Sequence, residues 1–312
     1  MNLSALKFRD FRIYLAGNLF AVNATWMQRV TIGWIAWDLT SSATFVGFIA
    51  FVNFAPAMVT GPLFGVLIDR MRITQVAKLT QLLLLTMSLG FYLFFTFRFL
   101  DEILLSFLSF LSGLVTSAHN PVRLSLAPRL VDRTSVASVV SIVAINFNLA
   151  RLTGPAIGGW LIAGWGISSA LLVQTVCYLP FIFTISLLRP RERSSSTTEN
   201  EPFIAALQNG IRHALSNTLI RQAFLVTVLY AFLIRGTLEI LPVIADGVFS
   251  RGATGLGLLT SSAGFGALVA GVTKAFTPSQ MTGELPKFAL ANALLGICLL
   301  YTSPSPRDGR ES

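Results

Sequence analysis

Apolar stretches of about 20 residues recur along the chain, separated by short polar segments. A stretch of that length is long enough to cross a hydrocarbon core of about 30 Å as an α-helix. Shorter apolar sequence begins again near Pro286. We therefore expect an all-α, polytopic membrane protein. The predicted helices cover residues 12–37, 44–68, 74–97, 104–122, 136–163, 167–188, 221–247 and 254–276.

A polar segment, residues 189–201, divides the first six helices from the rest. Four apolar residues then recur at every fourth position, which is typical of an amphipathic helix on a membrane surface: Phe203, Leu207, Ile211 and Leu215. The last apolar run, about 288–301, is shorter than a membrane span. We therefore expect a C-terminally truncated chain. Its predicted segments are a six-helix bundle (1–188), a cytoplasmic linker (189–219), a partial second bundle (220–301) and a tail that does not look native (302–312).

The composition agrees with a membrane protein, because 54% of the residues are hydrophobic and only 12% are charged. Soluble proteins average about 25% charged residues. The net charge of +9 would suggest nucleic acid if it formed one surface patch. Outside the predicted spans and the tail, however, only Arg98 and Arg251 fall on the side opposite the other basic residues. This bias predicts a cytoplasmic N-terminus and no nucleic-acid partner.

Several kinds of chemistry are not expected. Cys177 and Cys298 lie within apolar runs, so no disulfide framework or metal site is predicted. The sequence contains no phosphate-binding loop and no nucleophile constellation. We therefore expect neither an enzyme nor a cofactor.

A short internal repeat relates the two parts of the chain. The segment 43–47 (ATFVG) reappears at 253–257 (ATGLG), an offset of 210 residues. At the same offset, Ala57 and Gly61 correspond to Ala267 and Gly271. This pattern predicts a duplication with parallel halves.

The join between the second and third helices carries a compact motif. Gly65, Leu67, Asp69 and Arg70 form a G-x-L-x-D-R sequence that resembles the loop after the second helix of major facilitator transporters. In those transporters several basic residues usually follow the motif, whereas most of the corresponding positions of this chain hold other residues. The resemblance implies a major facilitator fold with a six-helix N-terminal bundle and an incomplete C-terminal bundle. It also implies that Gly65, Asp69 and Arg70 form a gating loop, with Asp69 facing an eleventh helix.

The fifth helix contains a second motif, G-P-x-x-G-G, formed by Gly154, Pro155, Gly158 and Gly159. It resembles the fifth-helix motif of facilitators that export substrate, often in exchange for protons. Proline bends a helix and glycines allow close approach. We predict a hinge made of these residues and Arg151, with plain close packing as the alternative. Arg151 itself is expected to bond loop carbonyls or the cytoplasmic end of helix four.

Further sequence resembles the branch of the superfamily that includes bacterial enterobactin exporters: residues 8–12 (FRDFR), 120–123 (NPVR), 147–151 (FNLAR) and 210–212 (GIR). This resemblance implies a secondary active transporter in the bacterial cytoplasmic (inner) membrane. It would export small siderophore-like or drug-like molecules by alternating access, in exchange for protons. The implied partners are substrate, protons and lipid, and a monomer is expected. An uptake permease and a non-transporting fragment remain the alternatives.

Polar residues inside the spans are the remaining indication of a functional site, because a charged side chain at mid-helix costs about 2.5–3.5 kcal/mol on insertion scales. Asn18, Thr25 and Arg29 share one face of helix one. Arg235 and Glu239 share a face of helix seven, and Glu239 lies 210 residues from Arg29. We predict a substrate and proton pathway along these residues, with Glu239 as the protonation switch. An Arg235–Glu239 ion pair that only neutralises the bundle is the alternative.

Five other polar residues are predicted to make hydrogen bonds between helices: Asn23, Gln28, Asn53, Asn146 and Gln174.

Overall fold

A computed structural model of the chain describes residues 3–69, 71–191, 212, 215–230, 236–260, 262 and 265–266. The chain forms two compact units. The first unit comprises Met1–Ser194 and Pro242–Ala275, and the second comprises Ser195–Leu241 and Phe276–Ser312.

Six long helices make up most of the first unit, which confirms the predicted all-α class. They begin and end within four residues of the predicted boundaries. They are α1 (Arg9–Thr40), α2 (Ala43–Asp69), α3 (Ile73–Thr96), α4 (Glu102–Leu126), α5 (Val136–Trp165) and α6 (Ile167–Leu187). Short 3₁₀ helices cover Ser4–Lys7, Ala127–Leu130 and Arg133–Ser135.

Local chemistry explains several of these helix ends. The carboxylate of Asp101 accepts a hydrogen bond from the backbone N–H of Leu104 at 2.7 Å, which caps the start of α4. Ser41 takes a left-handed conformation (φ 49°) after the last residue of α1. Gly166, with φ 82°, makes the single-residue join between α5 and α6, where a side chain would be strained.

The helices pack in a definite order. α1 lies against α5 and α6, α3 packs on α4 and α6, and α2 packs on α4. One apolar cluster forms around the first half of α1, where Tyr14 meets the ring of Phe181 edge-on at 5.6 Å. A second cluster forms around Ile35 near the other end of α1 and includes Phe91 and Leu105.

Hydrogen bonds between helices confirm four of the five polar predictions. Four side chains bond across a helix interface: Asn23 with Thr153 (2.6 Å), Gln28 with Ser112 (3.0 Å), Asn53 with the Ser109 carbonyl (3.0 Å) and Gln174 with Ser88 (3.3 Å). The prediction for Asn146 is not confirmed, because its side-chain amide nitrogen has no hydrogen-bond partner among the described residues.

Within the described part of the chain, four helical segments are long and apolar enough to cross a membrane: Ile73–Thr96, Glu102–Leu130, Arg133–Trp165 and Ile167–Leu187. α1 differs because its middle carries polar side chains, of which Asn18 is fully buried and Gln28 nearly so. α1 is therefore a packed inner helix of the bundle.

The first unit also contains sequence from beyond the linker. A π-helix spans Val243–Val248, and residues 252–260 form a helix that we call α8. The second unit contains α7 (Thr218–Tyr230) and one helical turn, Gly236–Glu239.

The prediction of one helix over 221–247 is therefore wrong in part. Residues 231–235 lie outside the described part, and the α-helical pattern is interrupted at Ile240. Pro242 lies two residues further on and cannot donate the backbone hydrogen bond that an α-helix needs at that position. The tail and most of the predicted amphipathic helix also lie outside the described residues.

Candidate functional site

The ring of Trp26, on α1, is in contact with two arginine side chains. The Cζ atom of Arg29, on the same helix, is 5.3 Å from the centre of the Trp26 ring. The Cζ atom of Arg151, on α5, is 5.6 Å from it. Both distances fall within the range of about 6 Å at which a guanidinium is attracted to an aromatic face. All three side chains are partly exposed.

Further aromatic rings extend this arrangement. Arg29 also lies over Phe54 of α2, at 4.4 Å. Phe147 of α5 meets Trp26 edge-on at 5.7 Å, and Arg123 of α4 lies over Phe147 at 5.5 Å. These residues form what we call the arginine–aromatic cluster: Trp26, Arg29, Phe54, Arg123, Phe147 and Arg151.

Arg123 is the most buried member of the cluster, with 7% of its surface exposed. Its Nε and Nη1 atoms have no hydrogen-bond partner among the described residues. A buried guanidinium normally has its N–H groups satisfied. The cluster thus includes donor atoms to which no described residue bonds.

Close contact between α1 and α5 fixes the position of Trp26. The hydroxyl of Thr153 donates to the side-chain oxygen of Asn23 at 2.6 Å. A Cβ atom on Gly154 would lie 2.7 Å from the Cβ of Trp26, and one on Gly158 would lie 3.6 Å from the Cα of Met27. The paired residue numbers rise together, so the two helices run parallel. Gly154 leaves the space in which Trp26 lies.

The fifth-helix motif contacts a second helix through Gly159. A Cβ atom there would lie 2.7 Å from the Cα of Gly257 and 3.0 Å from the carbonyl oxygen of Ala253, both on α8. Pro155 is buried within α5, which continues as helix on both sides of it. The structure therefore shows close packing at this motif, and the hinge remains a prediction.

The end of α1 makes a second contact with the sequence beyond the linker. The indole Nε1–H of Trp37 donates to Oδ2 of Asp246, on the π-helix, at 2.9 Å. A Cβ atom on Gly247 would lie 3.1 Å from the Trp37 ring, and one on Gly33 would lie 3.3 Å from Pro242. We call this set the Trp37 contact.

The structure brings only part of the predicted helix-one pathway together. Thr25 donates to the Ala21 carbonyl at 3.0 Å and accepts from the Tyr178 hydroxyl at 3.4 Å. Asn18 is fully buried, and neither end of its amide has a partner among the described residues. Arg29 lies in the arginine–aromatic cluster. The shared role of these three residues stays a prediction.

The position of Arg151 differs from the sequence-based expectation. Its guanidinium lies over the Trp26 ring and not against loop carbonyls or the end of α4. The reason is that α5 turns this residue towards α1, where an aromatic face is available. The sequence reasoning missed Trp26, although its position three residues before Arg29 places both on one helix face.

Other predicted site residues are only partly described. Glu239 is half-buried in the turn Gly236–Glu239 of the second unit, and Arg235 lies outside the described residues. Gly65 and Asp69 belong to the last turns of α2. Their side-chain surroundings and the whole of Arg70 lie outside the described part. The gating loop therefore remains a prediction.

A bundle of long apolar helices, with a fifth-helix glycine–proline motif packed on sequence from beyond the linker, is typical of a transporter of the major facilitator type. The chain matches the family described as transmembrane secretion effector over residues 1–307, and it belongs to that family.

Two relatives are transporters by name. The staphyloferrin A transporter of Staphylococcus aureus (strain NCTC 8325 / PS 47) is 20% identical over 290 residues, which cover 93% of this chain and 72% of the relative. Macrolide efflux protein A of Streptococcus pyogenes is 19% identical over 267 residues, which cover 85% of this chain and 66% of the relative. The chain thus spans about two thirds to three quarters of the length of these relatives.

A solved structure has the same fold. The crystal structure of a bacterial homologue of the human lysosomal transporter Spinster, inward-facing and unoccupied, superimposes with a TM-score of 0.62 at 15% identity. The match covers 96% of this chain and 70% of the other. The predicted major facilitator fold is confirmed, whereas the enterobactin-exporter branch stays a prediction.

Proposed function

We propose that the chain is a secondary active transporter that exports small organic molecules across the bacterial cytoplasmic membrane in exchange for protons. Siderophore-like and drug-like compounds are the substrate classes that the names of the two relatives suggest. The proposal includes alternating access, in which the two repeated halves move against each other around one central site.

The observation that carries this proposal is the position of the contacts between α1–α6 and residues 242–260. The Trp37 contact lies at the C-terminal end of α1. Gly159 meets Gly257 in the last two turns of α5, which runs parallel to α1. Both contacts therefore lie towards the same end of the bundle. With the N-terminus on the cytoplasmic side, as the charge bias predicts, this is the outer end, and the proposed state is a transporter closed on its outer side.

Export is supported by two further features. The glycine–proline motif of α5 resembles that of exporting facilitators, and one relative is an efflux protein by name. An uptake permease would have the same fold, so the direction of transport is decided by experiment.

Proton exchange is assigned to Glu239. Intramembrane carboxylates act as proton relays in transporters. Glu239 is half-buried and is the last residue of the helical turn that begins at Gly236.

The test uses everted membrane vesicles from bacteria that express the chain, energised to acidify their interior and loaded with a pH-sensitive dye. Adding a transported compound should dissipate the gradient, because each molecule enters the vesicle as protons leave. A panel of amphipathic drugs and of carboxylate-bearing chelators covers both substrate classes. Glu239→Gln should abolish the response to every compound. A panel without any response, or a normal response in the variant, would contradict proton exchange through Glu239.

A further inference from the structure

We infer that the buried side chains of Asn18, Arg123 and Asn146 bind one small monovalent anion, of the size of chloride or formate, inside the helical bundle. We call these three residues the Arg123 site. The inference does not depend on the substrate or the direction of transport. It follows from buried hydrogen-bond donors that have no acceptor in the described part of the chain.

The three side chains are buried and carry polar atoms without a partner. Asn18 is fully buried, and Arg123 and Asn146 are 7% and 4% exposed. The unpartnered atoms are Nε and Nη1 of Arg123, both ends of the Asn18 amide and Nδ2 of Asn146, as far as the described residues show. Buried polar atoms in folded proteins normally have a partner. Each of the helices α1, α4 and α5 thus contributes at least one unmet donor.

Two contacts between α1 and α4 place Asn18 level with the Arg123 side chain. The hydroxyl of Tyr14 donates to the carbonyl oxygen of Arg123 at 3.3 Å, and Gln28 donates to Ser112 at 3.0 Å. The paired residue numbers run in opposite directions, so the two helices are antiparallel. Asn18 lies one turn after Tyr14 on the same face of α1, level with the turn that precedes Arg123. A long side chain on a helix leans towards the N-terminus of that helix, so Arg123 extends towards this level.

The contact between α1 and α5 brings Asn146 to a similar depth. The bond between Thr153 and Asn23 fixes the register of these two parallel helices. Asn18 lies five residues before Asn23, and Asn146 lies seven residues before Thr153. At the rise of an α-helix these separations are about 7.5 and about 10.5 Å, so the two amides differ in depth by about 3 Å.

The guanidinium of Arg123 also reaches this turn of α5. Its Cζ atom is 5.5 Å from the ring centre of Phe147, and Phe147 directly follows Asn146. The turns of α1 and α5 that hold the two amides therefore both lie beside the guanidinium.

No described carboxylate neutralises Arg123. Between their first and last turns, α1–α6 contain no Asp or Glu. Asp10 and Asp132 lie near the same end of the bundle, but they bond to the backbone N–H of Arg189 and to the guanidinium of Arg191. A buried charge is costly unless it is paired. An anionic ligand would supply the missing counter-charge.

The remaining atoms define the ligand further. Within the site, Nε and Nη1 of Arg123 and both amide nitrogens donate, whereas only Oδ1 of Asn18 accepts. The ligand must therefore accept several hydrogen bonds, and bonds from a guanidinium to an anion are among the strong ones. Tyr14 and Ala150 are fully buried in the same part of the bundle. Such a packed interior favours a small ion over an organic substrate.

Binding is tested by thermal unfolding of the purified full chain in an uncharged detergent, followed by far-UV circular dichroism. Sodium chloride, sodium formate and sodium gluconate are compared at equal ionic strength, so that general screening is the same. A ligand that binds only the folded chain raises its stability once the ligand concentration exceeds the Kd. Chloride and formate should raise the Tm by a few degrees and saturate, whereas the bulky gluconate should not.

Four variants examine the site. Arg123→Gln should abolish the rise in Tm, because it removes the charge that the anion neutralises. Asn18→Asp places a carboxylate within the site and should make the Tm independent of chloride and formate. Asn146→Leu removes one donor and should weaken chloride binding about tenfold. Arg129→Gln is the matched control, because it removes a nearby guanidinium that bonds to Ser125, and it should keep the full rise.

Direct binding is measured by equilibrium dialysis of radioactive chloride against the wild-type chain, so the result stands even when a variant does not fold. The wild-type chain should retain chloride, and formate should displace it. The inference is overturned if the wild-type chain retains no chloride, or if Arg123→Gln shows the same rise in Tm as Arg129→Gln. Equal Tm values of the wild-type chain in all three salts would show that water alone meets these donors, and would also overturn it.

Discussion

Gly154 is the position at which one methyl group should disturb the candidate site most. It lies where α5 meets α1, directly beside Trp26. In Gly154→Ala the new Cβ would lie 2.7 Å from the Cβ of Trp26 and 3.0 Å from the carbonyl oxygen of Asn23. Ordinary contacts between such atoms begin near 3.4 Å. The two helices must therefore separate by roughly 0.7 Å, or Trp26 must shift.

The expected cost is about 1–3 kcal/mol, the usual range for adding a methyl group to a packed interior. Gly158→Ala provides a matched control one helical turn away on the same face. Its Cβ would lie 3.6–3.8 Å from Met27, which is an ordinary contact. Both substitutions gain the same helix propensity, about 1 kcal/mol. The difference between the two variants therefore isolates the packing at Trp26.

The assay is unfolding of the purified variants in mixed SDS micelles, followed by far-UV circular dichroism. Gly154→Ala should be less stable than Gly158→Ala by about 1–3 kcal/mol. Equal stability of the two variants would refute the view that Gly154 positions Trp26.

Three further variants test other parts of the structure. Trp37→Phe keeps an aromatic ring but removes the hydrogen bond to Asp246, so it should favour opening at that end and increase the labelling of cysteines introduced there. Gly159→Ala forces α5 away from Gly257 and should slow or abolish the vesicle response. Gln28→Met removes the bonds that join α1 to Ser112 and to the Tyr178 hydroxyl, and should destabilise the bundle by about 1–3 kcal/mol in the SDS assay.

Two of these variants have a matched control. Gly164→Ala places a methyl group where, outside its own stretch of helix, no described atom lies within 4 Å, so it should transport normally. Trp34→Phe makes the same change one turn before Trp37 and should leave labelling unchanged. Labelling of Trp37→Phe at the wild-type level would show that the Trp37 contact does not hold this end closed. A stable Gln28→Met would show that its two hydrogen bonds contribute little.

The helices of the first unit could be predicted closely, for a physical reason. A lipid-crossing helix needs a long apolar run, and polar residues collect where the run ends. The predicted start of α5 at residue 136 matches the structure. The same reasoning predicted that Gln28 and Asn53 bond across a helix interface, since an amide inside an apolar helix is stabilised by a hydrogen bond to a neighbouring helix.

The arrangement around Trp26 could not be predicted in the same way. It depends on how far α5 is rotated about its axis relative to α1, and no spacing within one helix determines that angle. Arg151 was therefore assigned to the wrong partner. The bond between Trp37 and Asp246 joins residues 209 positions apart, and the break before the π-helix depends on Pro242 together with local packing.

The measurement that tests the proposed function most directly is a comparison of the two vesicle orientations. A labelled compound that gives the pH response is offered to everted and to right-side-out vesicles that contain the chain, each with an imposed proton gradient. Export in exchange for protons predicts accumulation in the everted vesicles only, abolished by a protonophore and by Glu239→Gln. Accumulation in the right-side-out vesicles only, or accumulation that persists with the protonophore, would contradict it.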